Sequence, residues 1–487
     1  MDHYFGIGHN WLVNVEAEVT QPSMNALNVI LGFGITGQSV ARFLLERGET
    51  PVVLDTRAEK SVHGEFANLE IYWGCTNWPQ QVLQQAGTVI VSPGLPLNTC
   101  LLEQARASDL SVISDIDLFF QQISKPVIGV TGTNGKSTVV SLVGHILNSS
   151  GYNCAIGGNL GEAALDLVGD DRDFYVLELS SFQLEHSNNL PLARSAILNI
   201  TEDHLDHHGS LEKYIDAKQK ILAGAQSWVF NREDINTRSL KQVSGLSYGF
   251  ESPTNADTWG LIDRNQQEWI FKGDVAICSV AELPLQGRHN LLNCMAAMAL
   301  AEPFVDLAAM PALVRNFQEL THRFQTVAEI AGITFVNDSK ATNVGSTKAA
   351  LDGLEKSNNI VLIAGGDAKG ADLEPLADSF GGRVKRVVTL GKDGSKVAAV
   401  ANACGIAHVE AASIESAVLE AVKGVAKGDL VLLSPACSSL DMYDSFQQRG
   451  DIFASSVRVL PLVAAPTETR HLSKSVILCN LIPWFTA

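Results

Sequence analysis

Between Gly129 and Thr138 the chain reads GVTGTNGKST, and each residue type in that run suits a phosphate. Glycines let backbone N–H groups turn toward phosphate oxygens, which makes an anion nest at a helix N-terminus. Gly132, Thr133, Asn134 and Gly135 form the body of the loop. Lys136 can reach the outer phosphates, and the Ser137 or Thr138 hydroxyl can ligate Mg²⁺. The strict G-x-x-x-x-G-K-[ST] spacing asks for glycine where this chain has Val130, so the loop is a variant. A phosphate loop needs a carboxylate for its metal. Glu178, in the strand-like run FYVLEL, stands where that carboxylate is expected. His204 follows SAILNI within NITEDHLDHH. Imidazole is an unusual ligand for hard Mg²⁺. On residue chemistry alone, His204, Asp206, His207 and His208 are therefore a candidate zinc cluster. Only two of them would share a face, and no cysteine or distant histidine completes the set.

A second glycine loop, Gly32-x-Gly34-x-x-Gly37, follows an apolar run and opens a helical pattern, with Asp55 about 20 residues on. This is the context of a dinucleotide fingerprint. A helix N-terminus can equally receive another diphosphate, such as that of a UDP-sugar. A tight turn that only packs a helix on a sheet is the third reading.

Such loops must be held at strand ends. Strand-turn-helix signatures open at Asn28 and Pro126, and further strand-like runs fit PVVLD (51–55), SAILNI (195–200), ITFVND (333–338), IVLIAGG (360–366), RVVTLG (386–391) and DLVLLSP (429–435). Nearly continuous apolar strands alternating with helices predict parallel sheets covered on both faces, with ligands beyond the carboxyl ends of the strands. The 487 residues suit two to four domains, and boundaries near Ser114 and Leu320 divide them into 25–114, 115–320 and 321–460, with an extension at 1–24 and a tail at 461–487. The formal net charge of -18 argues against non-specific nucleic-acid binding, which relies on Lys and Arg. Eight scattered cysteines without a C-x-x-C pair predict reduced thiols in a cytoplasmic protein. The start carries acidic residues and no secretory pattern, and no apolar run approaches the ~18 residues of a membrane span, so no stable membrane insertion is expected.

The ordered segments GVTGTNGKST, LELSSFQLE, LNITEDHLDHH, YIDAKQKI, GRHNLLN, HRFQ and VNDSKATN resemble the Mur ligases, ATP-dependent amide ligases of bacterial cell-wall synthesis. DTR at 55–57, VNDSKATN at 336–343, GGDAKGAD at 365–372 and SPACSSLDMYDSFQQRG at 434–450 resemble the branch that adds D-glutamate to UDP-N-acetylmuramoyl-L-alanine. The resemblance runs from about residue 25 to 458 and implies an α/β chain of three domains. These are a Rossmann-like N-terminal domain, a central P-loop ATPase-like parallel-sheet domain and a Rossmann-like C-terminal domain.

The resemblance also implies roles. Ile35, Thr36, Asp55, Thr56 and Arg57 would hold the uridine diphosphate, and Asn159 would touch the same substrate. Lys136 would bind ATP phosphates, with Ser137 and Thr138 beside Mg²⁺. Glu178 and His204 would bind metal, and Lys218 would carry a carbamate, which turns a cation into an oxygen ligand for a second Mg²⁺. Asn290 and Asn293 would lie near adenine, while Arg323, Asp338 and Lys340 would reach ATP from the third domain. Thr342, Lys369, Ser439, Leu440 and Phe446 would form the D-glutamate site. The partners implied are small molecules alone, with the protein a monomer. The stretch between His204 and Lys218 is one residue shorter than the family pattern, which leaves the alignment of His207 and His208 with that pattern open. Three rivals remain: a sister Mur or folylpolyglutamate-type ligase, an NAD-binding oxidoreductase using the first loop, and a non-catalytic nucleotide-gated module.

Overall fold

The computed structural model describes residues 27–238, 245–285, 287–318 and 320–460. The extension at 1–24, the tail at 461–487 and Cys479 lie outside the described residues. Three sheets follow one another along the chain.

The first contains β1 (Leu27–Leu31), β2 (Val52–Leu54), β3 (Glu70–Tyr72), β4 (Ala86–Val91) and β5 (Ser111–Ser114), in spatial order β3-β2-β1-β4-β5. All neighbours pair in parallel. The order reverses beside β1, so the glycine loop that follows β1 lies at the topological switch point, where open α/β sheets bind ligands. Gly37 is required there by contact. A Cβ on it would lie 2.0 Å from the Gly32 carbonyl oxygen, so only glycine lets helix Ile35–Glu46 close on the loop.

The second sheet contains β6 (Val127–Thr131), β7 (Cys154–Gly158), β8 (Phe174–Glu178), β9 (Arg194–Ile197), β10 (Trp228–Asn231), β11 (Leu246–Tyr248), β12 (Thr258–Arg264), β13 (Gln267–Lys272) and β14 (Val275–Ser279). Its order is β14-β13-β12-β11-β10-β9-β6-β8-β7. The expected parallel pairing holds from β7 across to β12. The edge departs from expectation, because β12-β13-β14 is antiparallel. Asn265 and Gln266 both take left-handed φ (55° and 63°), which suits a two-residue hairpin turn whose twist matches its strands. Every residue of β6 and β8 is buried, as two-faced coverage requires.

Helix Lys136–Ser149 fixes the phosphate loop to this sheet. Val139, Val140, Leu142, Val143, Ile146 and Leu147 are wholly buried. Each such burial contributes about 1.5–3 kcal/mol relative to exposure, so the helix that begins at Lys136 is firmly anchored.

The third sheet contains β15 (Gln325–Ile330), β16 (Ile333–Asn337), β17 (Ile360–Gly365), β18 (Val384–Leu390), β19 (Ala407–Glu410) and β20 (Leu430–Leu433), in order β15-β16-β20-β17-β18-β19. It is parallel apart from β15, which joins β16 as an antiparallel hairpin.

The three sheets are the cores of three α/β domains, and by compactness the described chain divides into two units. One holds the first two sheets, together with Asn343–Glu355 and Ala368–Ser379; the other holds the third sheet. The first two sheets share an apolar cluster that includes Ile30, Phe119, Tyr175 and Ile197. Side-chain bonds also join them, including Ser39 Oγ to Asp166 Oδ1 at 2.8 Å and His186 Nε2 with the Leu95 carbonyl at 2.7 Å. Phe335, Val361, Ile363, Val431, Leu433 and Phe453 are among the core of the second unit.

Candidate functional site

In the first unit the polar residues singled out in the sequence gather at the carboxyl ends of β9, β6 and β8, which are adjacent. Gly135 stands at the N-cap of helix Lys136–Ser149 with φ 82°, so the loop turns its backbone through a conformation that L side chains rarely adopt. Lys136 Nζ donates to the carbonyls of Gly132 and Thr133, both at 2.8 Å, and so lies over the concavity the glycines form. The loop is tied on both flanks. Asn134 exchanges hydrogen bonds with the Asn199 carboxamide (2.8 and 3.0 Å), and its Oδ1 accepts from Asn343 and Ser346. The Asn293 side chain closes on Gly135, where a Cβ would lie 2.3 Å from Asn293 Oδ1, and Asn293 Nδ2 donates to Asn290 Oδ1. Both asparagines begin helix Arg288–Ala301, so two turns distant in sequence meet at one loop.

Ser137 Oγ donates to Glu178 Oε2 at 2.5 Å, and Asn159 Nδ2 donates to Glu178 Oε1 at 2.9 Å. Glu178 is buried, as are Ser137 and Thr138. The structure thus separates two neighbouring hydroxyls, because Ser137 and not Thr138 meets the carboxylate. His204 caps the short helix Leu205–His208 with φ 54°. Burial pushes its imidazole down to about 4, and Lys369 and Lys136 push the same way against Asp203 and Asp206. It is therefore neutral near pH 7, as a metal-ligating imidazole must be.

Lys218 is almost wholly buried. Its Nζ donates to the Gly132 carbonyl at 2.9 Å and lies 4.5 Å from the Tyr214 ring centre. Burial, with Lys136 adding repulsion, holds this amine well below the ordinary lysine value, against Asp203 and Glu178.

Several members of the site escaped sequence reasoning. Asp203 accepts from Lys369 Nζ at 2.7 Å and from Asn343 Nδ2 at 3.1 Å. The Tyr214 hydroxyl meets Thr133 Oγ1 at 3.3 Å. Asp203 adjoins His204, and that adjacency was the available signal; Tyr214 reads as an ordinary core aromatic. The zinc cluster is corrected. Among the described residues, the group of His, Cys, Asp and Glu side chains close enough to share a metal is Glu185, His207 and His208, without His204 or Asp206. Adjacent sequence positions misled here, because Glu185 comes from another helix.

At the first glycine loop, Ile35 is 84% exposed at the start of its helix. Thr36 is half-buried, and Thr56 and Arg57 are exposed. Asp55 is buried. Its Oδ2 accepts from the Phe33 N–H at 2.6 Å, and its Oδ1 accepts from the Arg57 N–H at 2.8 Å. The Arg57 guanidinium also donates to both oxygens. Burial raises this carboxyl, but the bonds from Arg57 and Phe33 outweigh it, and Asp55 stands below its ordinary 3.8. A depressed folded value contributes stability above pH 3.8 that is lost as pH falls below it. We expect the difference in urea-unfolding free energy between the native chain and Asp55→Asn to shrink below about pH 3.8. A difference that stays constant through that range would contradict the account.

In the second unit, Asp338 accepts from the Phe324 N–H (3.1 Å) and Ser434 Oγ (2.8 Å). Burial pushes its carboxyl up to about 7 despite those bonds and nearby Arg323. Lys340 Nζ lies 4.4 Å from the Phe446 ring centre. Thr342 follows on the same turn, its N–H donating to the Lys340 carbonyl. Ser439 is buried, whereas Leu440 is 73% exposed. No helix among the described residues is long and apolar enough to cross a membrane.

Three family models match the chain in order: the Mur ligase MurD-like N-terminal domain at residues 26–114, the Mur ligase middle domain at 130–301, and the Mur ligase glutamate ligase domain at 322–437. A protein named UDP-N-acetylmuramoylalanine–D-glutamate ligase from Legionella pneumophila (strain Paris) is 41% identical over 449 residues, covering 90% of this chain and 100% of its own. A protein of the same name from Shewanella oneidensis is 42% identical over 442 residues, 89% of this chain and 98% of its own. Solved structures share the fold. UDP-N-acetylmuramate-alanine ligase MurC from Thermotoga maritima matches with TM-score 0.58 at 19% identity, over 89% of this chain and 99% of that one. MurF ligase from Thermotoga maritima in complex with ADP matches with TM-score 0.54 at 15% identity, over 89% and 96%. With identity above 40% along nearly the whole length of its relatives, and with three successive domains matched, the chain belongs to the Mur ligase family.

Proposed function

We propose that this protein joins D-glutamate to UDP-N-acetylmuramoyl-L-alanine through an amide bond, with ATP cleaved to ADP and phosphate. The observation that carries the reading is the similarity to ligases of that name over 90% of the chain. The site supports it with chemistry of the right kind. A glycine nest, a lysine over it and a hydroxyl–carboxylate pair beside it are what a phosphoryl-transfer site requires.

The residues present fit Mg²⁺. The Ser137 hydroxyl and the buried Glu178 carboxylate are oxygen donors at hydrogen-bond distance, and His204 is a neutral imidazole nearby. Mg²⁺ bound there would offset charge on the phosphates. Lys136, held by two loop carbonyls, would exchange those bonds for phosphate oxygens. Lys218 is proposed to carry a carbamate. Only an uncharged amine can attack CO₂, and burial keeps this amine uncharged more often than an exposed lysine would be. The product carboxylate would supply a further oxygen ligand.

The reaction needs activation because a carboxylate oxygen is a poor leaving group. The carboxylate of the UDP-linked substrate attacks the γ-phosphorus as the bond to ADP breaks, giving an acyl phosphate. The D-glutamate amine then attacks the acyl carbon, and phosphate leaves with the bonding electron pair. Ile35, Thr36, Asp55, Thr56, Arg57 and Asn159 are proposed to hold the UDP-substrate. Asn290, Asn293, Arg323, Asp338 and Lys340 are proposed to hold ATP. Thr342, Lys369, Ser439, Leu440 and Phe446 are proposed to contact D-glutamate.

The test is phosphate release with ATP, UDP-N-acetylmuramoyl-L-alanine and one amino acid at a time. Release with D-glutamate and not with L-glutamate, L-alanine or L-lysine is expected. Release with another amino acid and none with D-glutamate would overturn the choice of substrate.

A further inference from the structure

We propose that Glu185, His207 and His208 form a zinc-binding site separate from the phosphate loop. Glu185 comes from helix Ser181–His186, and the two histidines come from helix Leu205–His208. Glu185 Oε2 is 2.8 Å from His207 Nε2, and Glu185 Oε1 is 2.9 Å from His208 Nδ1. One ligand atom from each residue lies within 4.8 Å of the others. Zinc bonds of about 2.0–2.2 Å place tetrahedral ligand atoms about 3.3–3.6 Å apart, so the two close pairs would spread by roughly half an ångström to admit the ion.

A second observation points to a ligand. His208 is buried, and its Nδ1 faces Glu185 Oε1 at 2.9 Å without good hydrogen-bond alignment. Its other nitrogen, Nε2, is 3.0 Å from Ser181 Oγ. If Nε2–H donates to Ser181, Nδ1 presents a lone pair to a carboxylate oxygen 2.9 Å away. Two lone pairs at that distance repel, and either a proton on Nδ1 or a cation held by both atoms removes the repulsion. Zn²⁺ is such a cation, and Ser181 then orients the imidazole from the outer shell as metal-ligating histidines require. The donors are two imidazoles and a carboxylate with no thiolate, a set that suits zinc and leaves a fourth position for water. Mg²⁺ prefers all-oxygen surroundings and is disfavoured here.

The ion would tie the helix that begins beside Glu178's strand to the turn that begins at His204. Phe182 lies between the parts, its ring centre 5.0 Å from that of His204 and 4.4 Å from that of His207. Zinc would therefore stiffen the turn carrying His204 without touching the phosphate loop itself.

The test uses the full chain, stripped of metal by chelator dialysis and titrated with Co²⁺, then with Zn²⁺ in competition. A tetrahedral Co²⁺ absorption band at one ion per chain, displaced by zinc, is expected. Glu185→Gln and His207→Ala should each lower zinc affinity by about 100-fold or more, beyond the 10–100-fold typical of losing an outer-shell partner. Glu178→Gln separates this site from the phosphate loop and should leave the band unchanged. Circular dichroism checks folding, and if one ligand variant does not fold the other decides. Absence of a stoichiometric band, a band retained in the folded ligand variant, or a band lost with Glu178→Gln would each overturn the proposal.

Discussion

Lys136→Ala is expected to lower D-glutamate-dependent phosphate release by about 10³-fold or more, the scale seen when a cation that stabilises a transferring phosphoryl group is removed. The structural ground is the position of Nζ. It lies over the glycine nest, bound to the carbonyls of Gly132 and Thr133, in line with the first turn of a helix that six buried apolar side chains anchor. Alanine is a better helix former than lysine, and the side chain is only half-buried. Stability should therefore change by less than about 0.5 kcal/mol, and the loss should fall on chemistry. Steady-state kinetics separates the two. The loss should appear in kcat with little change in the KM for D-glutamate. A loss below tenfold would show that Lys136 is not a phosphate contact.

Lys218→Ala is expected to remove nearly all turnover, by about 10³-fold, through a different cause. Here the native side chain is buried beside Tyr214 and against the loop at Gly132, where a charged ammonium is disfavoured. If its functional form is the carbamate, alanine leaves a cavity lacking a carboxylate. Acetate or propionate in millimolar amounts should then restore part of the activity, while ammonium or methylamine should not. Intact mass in bicarbonate buffer should show one added CO₂ on the native chain and none on the variant. Native turnover in Lys218→Ala, or rescue by the amines instead, would contradict the carbamate. The opposite signs expected of anions and cations distinguish this lysine from Lys136.

Much of the site was legible because its chemistry is local. A glycine nest followed by lysine and a hydroxyl is a run of consecutive backbone positions, and its strand-before, helix-after context repeats in the apolar pattern. The first glycine loop was legible as a tight turn opening a helix at a strand end but not as the site of a particular nucleotide. Its spacing fits NAD and UDP-sugar alike, and family membership, not spacing, favours the second. The antiparallel edge of β12 to β14 was not legible, because these strands are buried over only part of their length and lack the continuous apolar run that marks a covered parallel strand.

The histidines show where local reading ends. Sequence alone grouped His204, Asp206, His207 and His208 because they are neighbours along the chain. In space His204 turns toward Asp203 through a left-handed residue, while His207 and His208 meet Glu185, about 20 positions earlier. What the sequence determined by itself was the phosphate loop, the order of three α/β sheets and the family. Only the tertiary structure decided which partners those residues have. It set Ser137 rather than Thr138 on Glu178, Asp203 on Lys369, and Glu185 between two imidazoles. The physical reason is that hydrogen bonds and charge pairing act over about 3 Å, a distance set by which helices pack together and not by how many residues separate them along the chain.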